Sequence, residues 1–240
     1  MKVAIHQPNF LPWIGYFHKI STVDTFVFFD DVQFPRGKTY GNRVLIKTKT
    51  GTNWLTVPIL HKSDLLNFNE VKIDYNGRQV EKILKTIKIN YSKSPFFEEI
   101  FNLVEEQFLV SPAKLYKLNI KLIRSLSKYL GISKKFMLCS EILQPLNLSG
   151  GEKILGILKS LGATEYVSGK GIGSSKYIKK DNFREAGIKL TYQNFTHPKY
   201  KQLYGEFKPY LSIVDLLCNR GKSSLDVIRP DLVMHKKPNS

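Results

Sequence analysis

Val3-Ala-Ile-His6-Gln-Pro-Asn-Phe-Leu-Pro-Trp13-Ile-Gly-Tyr-Phe-His18-Lys-Ile20, followed by Thr25-Phe-Val-Phe-Phe29, is the stretch on which the reading of this chain turns. Val3 to Gln7 reads as a short buried strand. Pro8 and Pro12 then impose an extended loop, because each fixes its own φ and disfavours α geometry in the residue before it. Trp13 to Ile20 reads as the following helix, with Pro12 just ahead of it. Thr25 to Phe29 is β-branched and aromatic throughout, the pattern of a strand buried on both faces. The loop between the first strand and its helix lies where open α/β sheets bind ligands.

Outward from this unit the pattern changes. Arg43 to Thr48 and Trp54 to Leu60 flank the turn-rich Lys49-Thr-Gly-Thr-Asn53 and predict a hairpin, and Val71 to Tyr75 reads as a further strand. Helical periodicity follows over Val80–Ile89, over Pro95–Leu109 with Ser94 as N-cap, and from Ser111-Pro112 to Leu130. Alternation then returns: strand Phe136–Ser140, helix Glu152–Leu161, strand Glu165–Ser168, helix Lys179–Ala186, strand Ile188–Gln193. Such alternation means parallel βαβ units. The expected architecture is an α/β, Rossmann-like, mostly parallel sheet of about five strands. Residues 1–35 and 132–228 would form its core, 36–78 a small antiparallel β-hairpin insertion, 79–131 a helical subdomain and 229–240 a frayed basic tail.

The composition suits a globular fold: 42% hydrophobic and 12% aromatic residues over 240 positions. The net charge is +17, which favours an anionic partner (nucleic acid, a nucleotide, a phosphosugar or other phosphorylated small molecule, or an acidic membrane surface), although a lysine-rich composition by itself would also produce it. The basic residues are mostly lysines spread along the whole chain, which argues against nucleic acid, whose footprints cluster. Cys139 and Cys218 form no CxxC pair, so neither a zinc site nor a disulfide framework is expected, in keeping with a reducing cytoplasm. No signal peptide and no run of about 20 apolar residues is read, so membrane association is expected to be peripheral at most.

Several residues could carry chemistry. His6 and His18 could serve as acid, base or hydrogen-bond donor near neutral pH. Gln7, Asn9 and Trp13 share the first loop, and Gly15 would allow a backbone or phosphate to approach the first helical turn. Asp30 and Asp31, at the end of the second strand, could hold a cation, a sugar hydroxyl or an amine, or cap a turn. Asn42 and Arg43 could meet a phosphate or carboxylate, or form the polar face of the hairpin. Ser168-Gly-Lys170-Gly171-Ile-Gly173-Ser174 alternates glycine with polar residues after a strand, as a backbone nest for phosphate does, although it matches neither the Walker A nor the dinucleotide spacing. His197 and Tyr200 follow the last strand on the same sheet edge. Asp215 and Asn219 share a face of a helix over Leu211–Cys218. No residue is singled out as a metal ligand.

Trp13-Ile-Gly-Tyr-Phe-His18 is similar to the HxGH-type loop of nucleotidylyltransferases, with the glycine in place and Tyr16 where the second histidine would stand. More extensively, the chain resembles the WbqC-like protein family. The resemblance rests on His6-Gln-Pro-Asn-Phe-Leu-Pro-Trp-Ile-Gly-Tyr-Phe-His18, Asp24-Thr-Phe-Val-Phe-Phe-Asp-Asp-Val-Gln-Phe34, Asn42-Arg43, Trp54-Leu-Thr-Val-Pro58, Tyr166-Val-Ser-Gly169, His197-Pro-Lys-Tyr200 and Pro209-Tyr-Leu-Ser-Ile-Val-Asp215. It implies a bacterial cytoplasmic protein of surface polysaccharide (O-antigen) biosynthesis that modifies an amino sugar with an acyl or aminoacyl group. The donor would then be an acyl thioester, with an acyl carrier as a partner, and the acceptor a nucleotide sugar. Two alternatives stand beside it: nucleotidyl transfer or amide formation through an adenylate, using ATP with magnesium, and a non-enzymatic binding protein for a polysaccharide precursor.

Overall fold

The computed structural model describes residues 1–60, 65–143, 148, 150–171 and 178–234. In chain order it holds β1 (Lys2–His6), α1 (Ile14–Ser21), β2 (Thr25–Phe28), β3 (Arg43–Thr48), β4 (Gly51–Thr56), α2 (Gln79–Tyr91), α3 (Phe97–Leu109), α4 (Leu115–Tyr129), β5 (Lys135–Leu138), α5 (Cys139–Ile142), α6 (Gly150–Ser160), β6 (Glu165–Ser168), α7 (Lys180–Glu185), β7 (Lys189–Tyr192), α8 (Ile213–Arg220), α9 (Ser224–Ile228) and α10 (Pro230–Met234). Five strands form one sheet in the order β5-β2-β1-β6-β7, every neighbouring pair parallel. The pair β3–β4 is a separate antiparallel ribbon. The α/β fold with a parallel sheet and an antiparallel insertion is therefore as the sequence predicts.

Side-chain alternation explains why β1 and β2 read as unbroken apolar runs. Ala4, Phe26 and Phe28 point to one face, where they meet Ile14, Phe17 and Ile20 of α1. Val3, Ile5 and Val27 point to the other, against Ile154, Ile157 and Leu158 of α6 and Phe183 of α7. The α1 face does not stop at the sheet. Val44 and Ile46 of β3, Ile87 of α2, Ile100 and Val104 of α3, and Leu118 and Leu122 of α4 belong to the same continuous core. The hairpin and the helical block thus share one apolar interior with the sheet.

Four local readings differ from the structure. The hairpin turn is two residues, since Thr48 pairs directly with Gly51, so β4 begins three residues earlier than expected. Val71–Tyr75 makes only isolated bridges, Ile59 to Ile73 and Lys72 to Lys114, because both neighbours are irregular segments that cannot extend a ladder. The Ser94 side chain does not cap α3. Its carbonyl accepts from Phe97 N–H at 3.2 Å, while Phe96 N–H is held by the Cys218 carbonyl at the end of α8, and the helix starts after that anchor. The tail is pinned at its root: Arg229 pairs with Asp231 at 2.6 Å and its Nη1 donates to the Ser21 carbonyl at 3.0 Å, leading into α10. Residues 235–240 lie outside the described residues.

Candidate functional site

β1 and β6 lie side by side but lead away from each other, β1 through α1 to β2 and β6 through α7 to β7. The crevice outside the carboxyl ends of two such strands is the standard ligand position in open α/β sheets. A cleft of about 770 Å³ opens there, lined by His6 at the end of β1 and Gln7 after it, Gly171 after β6, and Phe34, Arg36 and Tyr40 from the segment before the hairpin. A smaller annex of about 290 Å³ adjoins it, lined by His6, Asn9, Trp13, Tyr40 and Tyr210. His6 and Tyr40 belong to both. The first loop and the start of the glycine segment therefore share one pocket.

The loop after β1 is held rigidly from several sides. The Gln7 carbonyl accepts from the Tyr16 hydroxyl at 2.9 Å and lies 3.0 Å from His6 Nδ1. Asn119, buried on α4, donates to the carbonyls of Pro8 at 2.6 Å and Gly41 at 2.8 Å. Phe10 N–H donates to the Tyr40 carbonyl at 3.0 Å, and the Ser212 hydroxyl to the Leu11 carbonyl at 2.9 Å. Leu11 adopts a left-handed φ of 38°, a conformation unfavourable for a branched side chain and maintained by these surrounding bonds. Gly15 has a different use from the one its position suggests. A Cβ there would lie 2.2 Å from Trp13 Cη2, so the indole itself occupies the space that a phosphate was expected to take.

His6 is the best-placed of the predicted catalytic residues. Its Nδ1 faces a carbonyl and must carry the proton, which leaves Nε2 as a hydrogen-bond acceptor without a partner among the described residues. The Tyr16 ring meets it edge-on at 4.8 Å between centroids. Burial, and then the charge of Lys19, lower its pKa to about 3, so the ring is neutral at pH 7. Burial also lowers Lys19 to about 8.

The other predicted residues separate into groups. His18 lines a different depression, of about 560 Å³, with Gln193 and Arg229. Its Nδ1 lies 3.1 Å from Gln193 Nε2, and burial followed by the nearby Arg229 charge lowers its pKa to about 4. Asp30 is buried and accepts from the backbone N–H of Ser140 at 3.1 Å and its hydroxyl at 2.6 Å, fastening β2 to α5. Asp31 pairs with Lys153 of α6 at 2.5 Å and accepts from Asn67 at 3.2 Å. Asn42 donates to the Val57 carbonyl at 3.0 Å, closing the base of the hairpin. Arg43 stacks over Trp54 at 3.9 Å. Ser168 is buried, its hydroxyl 3.2 Å from the Gly169 carbonyl, while Lys170 and Gly171 are exposed at the cleft edge. Gly173 and Ser174 lie outside the described residues.

His197 and Tyr200 stand behind the annex. His197 stacks on Trp13 at 6.1 Å and 14°, its Nε2 accepts from Tyr210 N–H at 3.1 Å, and Nδ1 lies 2.9 Å from the Pro198 carbonyl. With both nitrogens engaged, the ring positions Trp13 and Tyr210 and has none left for a ligand. The Tyr200 hydroxyl donates to Asp215 at 2.9 Å. Asp215 is buried on α8, and that burial raises its pKa to about 6. Asn219 donates to the Asp215 carbonyl at 2.7 Å rather than to its side chain.

Sequence reading misses Phe34, Arg36, Tyr40, Tyr210, Lys153 and Asn119. They come from four separate segments and share no common spacing, so only the tertiary fold collects them. The left-handed φ of 60° at Tyr210 is invisible in sequence, because no glycine marks the position.

No helix among the described residues is long and apolar enough to cross a membrane. No solved structure is significantly similar to the chain. An uncharacterized protein of Mycobacterium tuberculosis, Rv1507c, is 35% identical over 232 residues, covering 95% of this chain and 97% of the relative. The model of the WbqC-like protein family matches residues 7–227, a span that contains all but His6 of the cleft and annex residues named above. With a family match over nearly the whole chain and a relative of almost equal length, the chain belongs to the WbqC-like protein family.

Proposed function

We propose that the protein is an enzyme of bacterial surface polysaccharide biosynthesis that transfers an acyl or aminoacyl group from a thioester to the amino group of a nucleotide-linked amino sugar. One observation carries this reading: His6, with Nδ1 tied to the Gln7 carbonyl and Nε2 unpartnered, sits where the cleft and the annex meet. The larger compartment has Arg36 and the exposed Gly171 backbone for phosphate oxygens. Its volume falls within the usual range for small-molecule sites, roughly 300–1,000 Å³.

In the proposed reaction the sugar amine attacks the thioester carbonyl carbon. As the C–N bond forms, the amine proton passes to His6 Nε2 and the carbonyl oxygen becomes an oxyanion, for which the Asn9 amide is a nearby donor. The C–S bond then breaks, and His6 returns the proton to the departing thiolate. An imidazole with a pKa of about 3 is a weak base on its own. A bound diphosphate adds negative charge, which favours the imidazolium and raises the pKa toward neutrality.

The test pairs nucleotide-linked amino sugars with acyl thioesters and follows thiol release together with the mass of the sugar product. Thiol release coupled to N-acylation, cut at least about a hundredfold in His6→Ala with folding intact, supports the reading. Pyrophosphate release from ATP in place of thiol release would move the chemistry to an adenylate. Recovery of bound nucleotide sugar unchanged under all donors would make the protein a binder.

A further inference from the structure

The annex beside His6 has a lining that the acyl-transfer reading does not require. Trp13, Tyr40 and Tyr210 contribute aromatic surface, with Tyr40 53% and Tyr210 56% exposed. The side chains of Asn9, Tyr40 and Tyr210, and His6 Nε2, have no hydrogen-bond partner among the described residues. The annex therefore combines two exposed aromatic rings, Tyr40 and Tyr210, with unused polar groups.

The chain maintains this arrangement against local cost. Tyr210 sits at a φ of 60°, a conformation that side-chain-bearing residues rarely adopt. Its N–H is fixed by His197, whose ring is stacked behind Trp13. Phe195 meets the indole edge-on at 5.5 Å. Strain maintained by a supporting shell around an exposed aromatic is a reason to look for a ligand.

The ring geometry selects among ligands. Trp13 and Tyr210 lie 5.4 Å apart at 60°, so they form no parallel slot for a flat base. Rings this close leave no gap between them, so a ligand meets the exposed rings of Tyr210 and Tyr40 from outside; a chair-shaped ring can lay its axial C–H bonds against such an aromatic face while its equatorial hydroxyls reach the unpartnered polar groups at the rim. We infer that the annex is a pyranose-stacking subsite, in which Tyr210 and Tyr40 hold the sugar and Asn9 and His6 meet its substituents. This deepens the proposed function and rests on it for the role of the sugar as acceptor, although the subsite itself can be tested without any reaction.

The probe is the methyl glycoside of N-acetylglucosamine, measured by saturation-transfer NMR and by tryptophan fluorescence, with UDP and UDP-N-acetylglucosamine titrated in parallel. Wild type is expected to bind the glycoside at millimolar concentration. Tyr210→Gly should weaken it roughly three- to tenfold, the size of one aromatic contact, while leaving UDP affinity unchanged; Tyr40→Ala should weaken the glycoside by a similar factor and, because Tyr40 also lines the larger cleft, weaken UDP as well. Tyr210→Gly should also melt no lower than wild type, because glycine takes a φ of 60° without strain. A structural role for Tyr210 predicts the reverse, a lower melting temperature with sugar affinity intact, and that result overturns the inference. No glycoside binding to wild type at 50 mM overturns it as well. Glycoside binding that depends on Tyr210 and Tyr40, without any nucleotide-sugar binding, would uphold the subsite and remove the nucleotide-linked acceptor.

Discussion

Gly15→Ala offers a quantitative probe of how the first loop is built. The added Cβ would fall 2.2, 2.4 and 2.6 Å from Trp13 Cη2, Cζ2 and Cζ3. Carbon atoms in contact sit about 3.5–4.0 Å apart, so the indole must retreat by more than about 1 Å. It has no easy direction in which to do so, being enclosed by Phe195 at 5.5 Å, His197 at 6.1 Å and Tyr210 at 5.4 Å. Overpacking costs roughly 1–3 kcal/mol, about 2–3 kcal/mol for an overlap this deep, and the helix propensity of alanine over glycine returns about 1 kcal/mol. The net loss is then about 1–2 kcal/mol, or roughly 2–8 °C in Tm for a chain of this size. Urea and thermal unfolding measure the loss, and near-UV circular dichroism reports the displaced indole. In a Trp13→Ala background the same substitution should become neutral or stabilising, giving a coupling energy of about 1–3 kcal/mol in the double-mutant cycle. A Gly15→Ala protein as stable as wild type in both backgrounds would refute the seating of Trp13 on Gly15.

Other perturbations separate structural from chemical roles. Asn119→Ala leaves the buried carbonyls of Pro8 and Gly41 without their donor; denaturant unfolding should show a loss of about 2–4 kcal/mol, accompanied by weaker nucleotide-sugar binding as the loop loosens. Lys153→Met strands the Asp31 carboxylate and should cost about 3 kcal/mol, whereas adding Asp31→Asn should recover most of it, which a double-mutant cycle reads directly. Asp215 has its pKa raised to about 6 in the folded protein, against about 3.9 in an unfolded chain. The folded state therefore binds the extra proton between those values, so this group lowers stability as pH rises from about 4 to about 6, by on the order of 3 kcal/mol, and adds no further slope above. Asp215→Asn should flatten that segment of the stability–pH profile; an unchanged slope would place the carboxyl in a more polar setting than its burial implies.

The parallel sheet was legible because its central strands are short and uninterrupted. Val3-Ala-Ile and Phe26-Val-Phe are apolar on both faces, and both faces prove to be covered, by α1 and by α6 and α7. The first loop was legible for a related reason: prolines, a tryptophan and a glycine in one short connection have few structural uses. What each does was less accessible. Gly15 accommodates the residue two places before it, and His18, although on the same helix, turns toward Gln193 instead of the cleft. Asp30 and Asp31 look alike in sequence, yet one caps α5 and the other pairs with Lys153, over a hundred residues away. Tyr40 and Tyr210 carry no local signal, since exposed aromatics acquire meaning only beside the partners that the fold supplies.

The most direct test of the switch-point cleft as the site of function is the ¹⁵N-edited imidazole NMR spectrum of the protein during titration with UDP-N-acetylglucosamine. The His6 ring nitrogens should shift on binding and the His6 pKa should climb from about 3 toward neutrality, while the His18 resonances stay in place. Shifts confined to His18, with His6 unmoved at saturation, would put the ligand in the other depression and contradict the switch-point assignment.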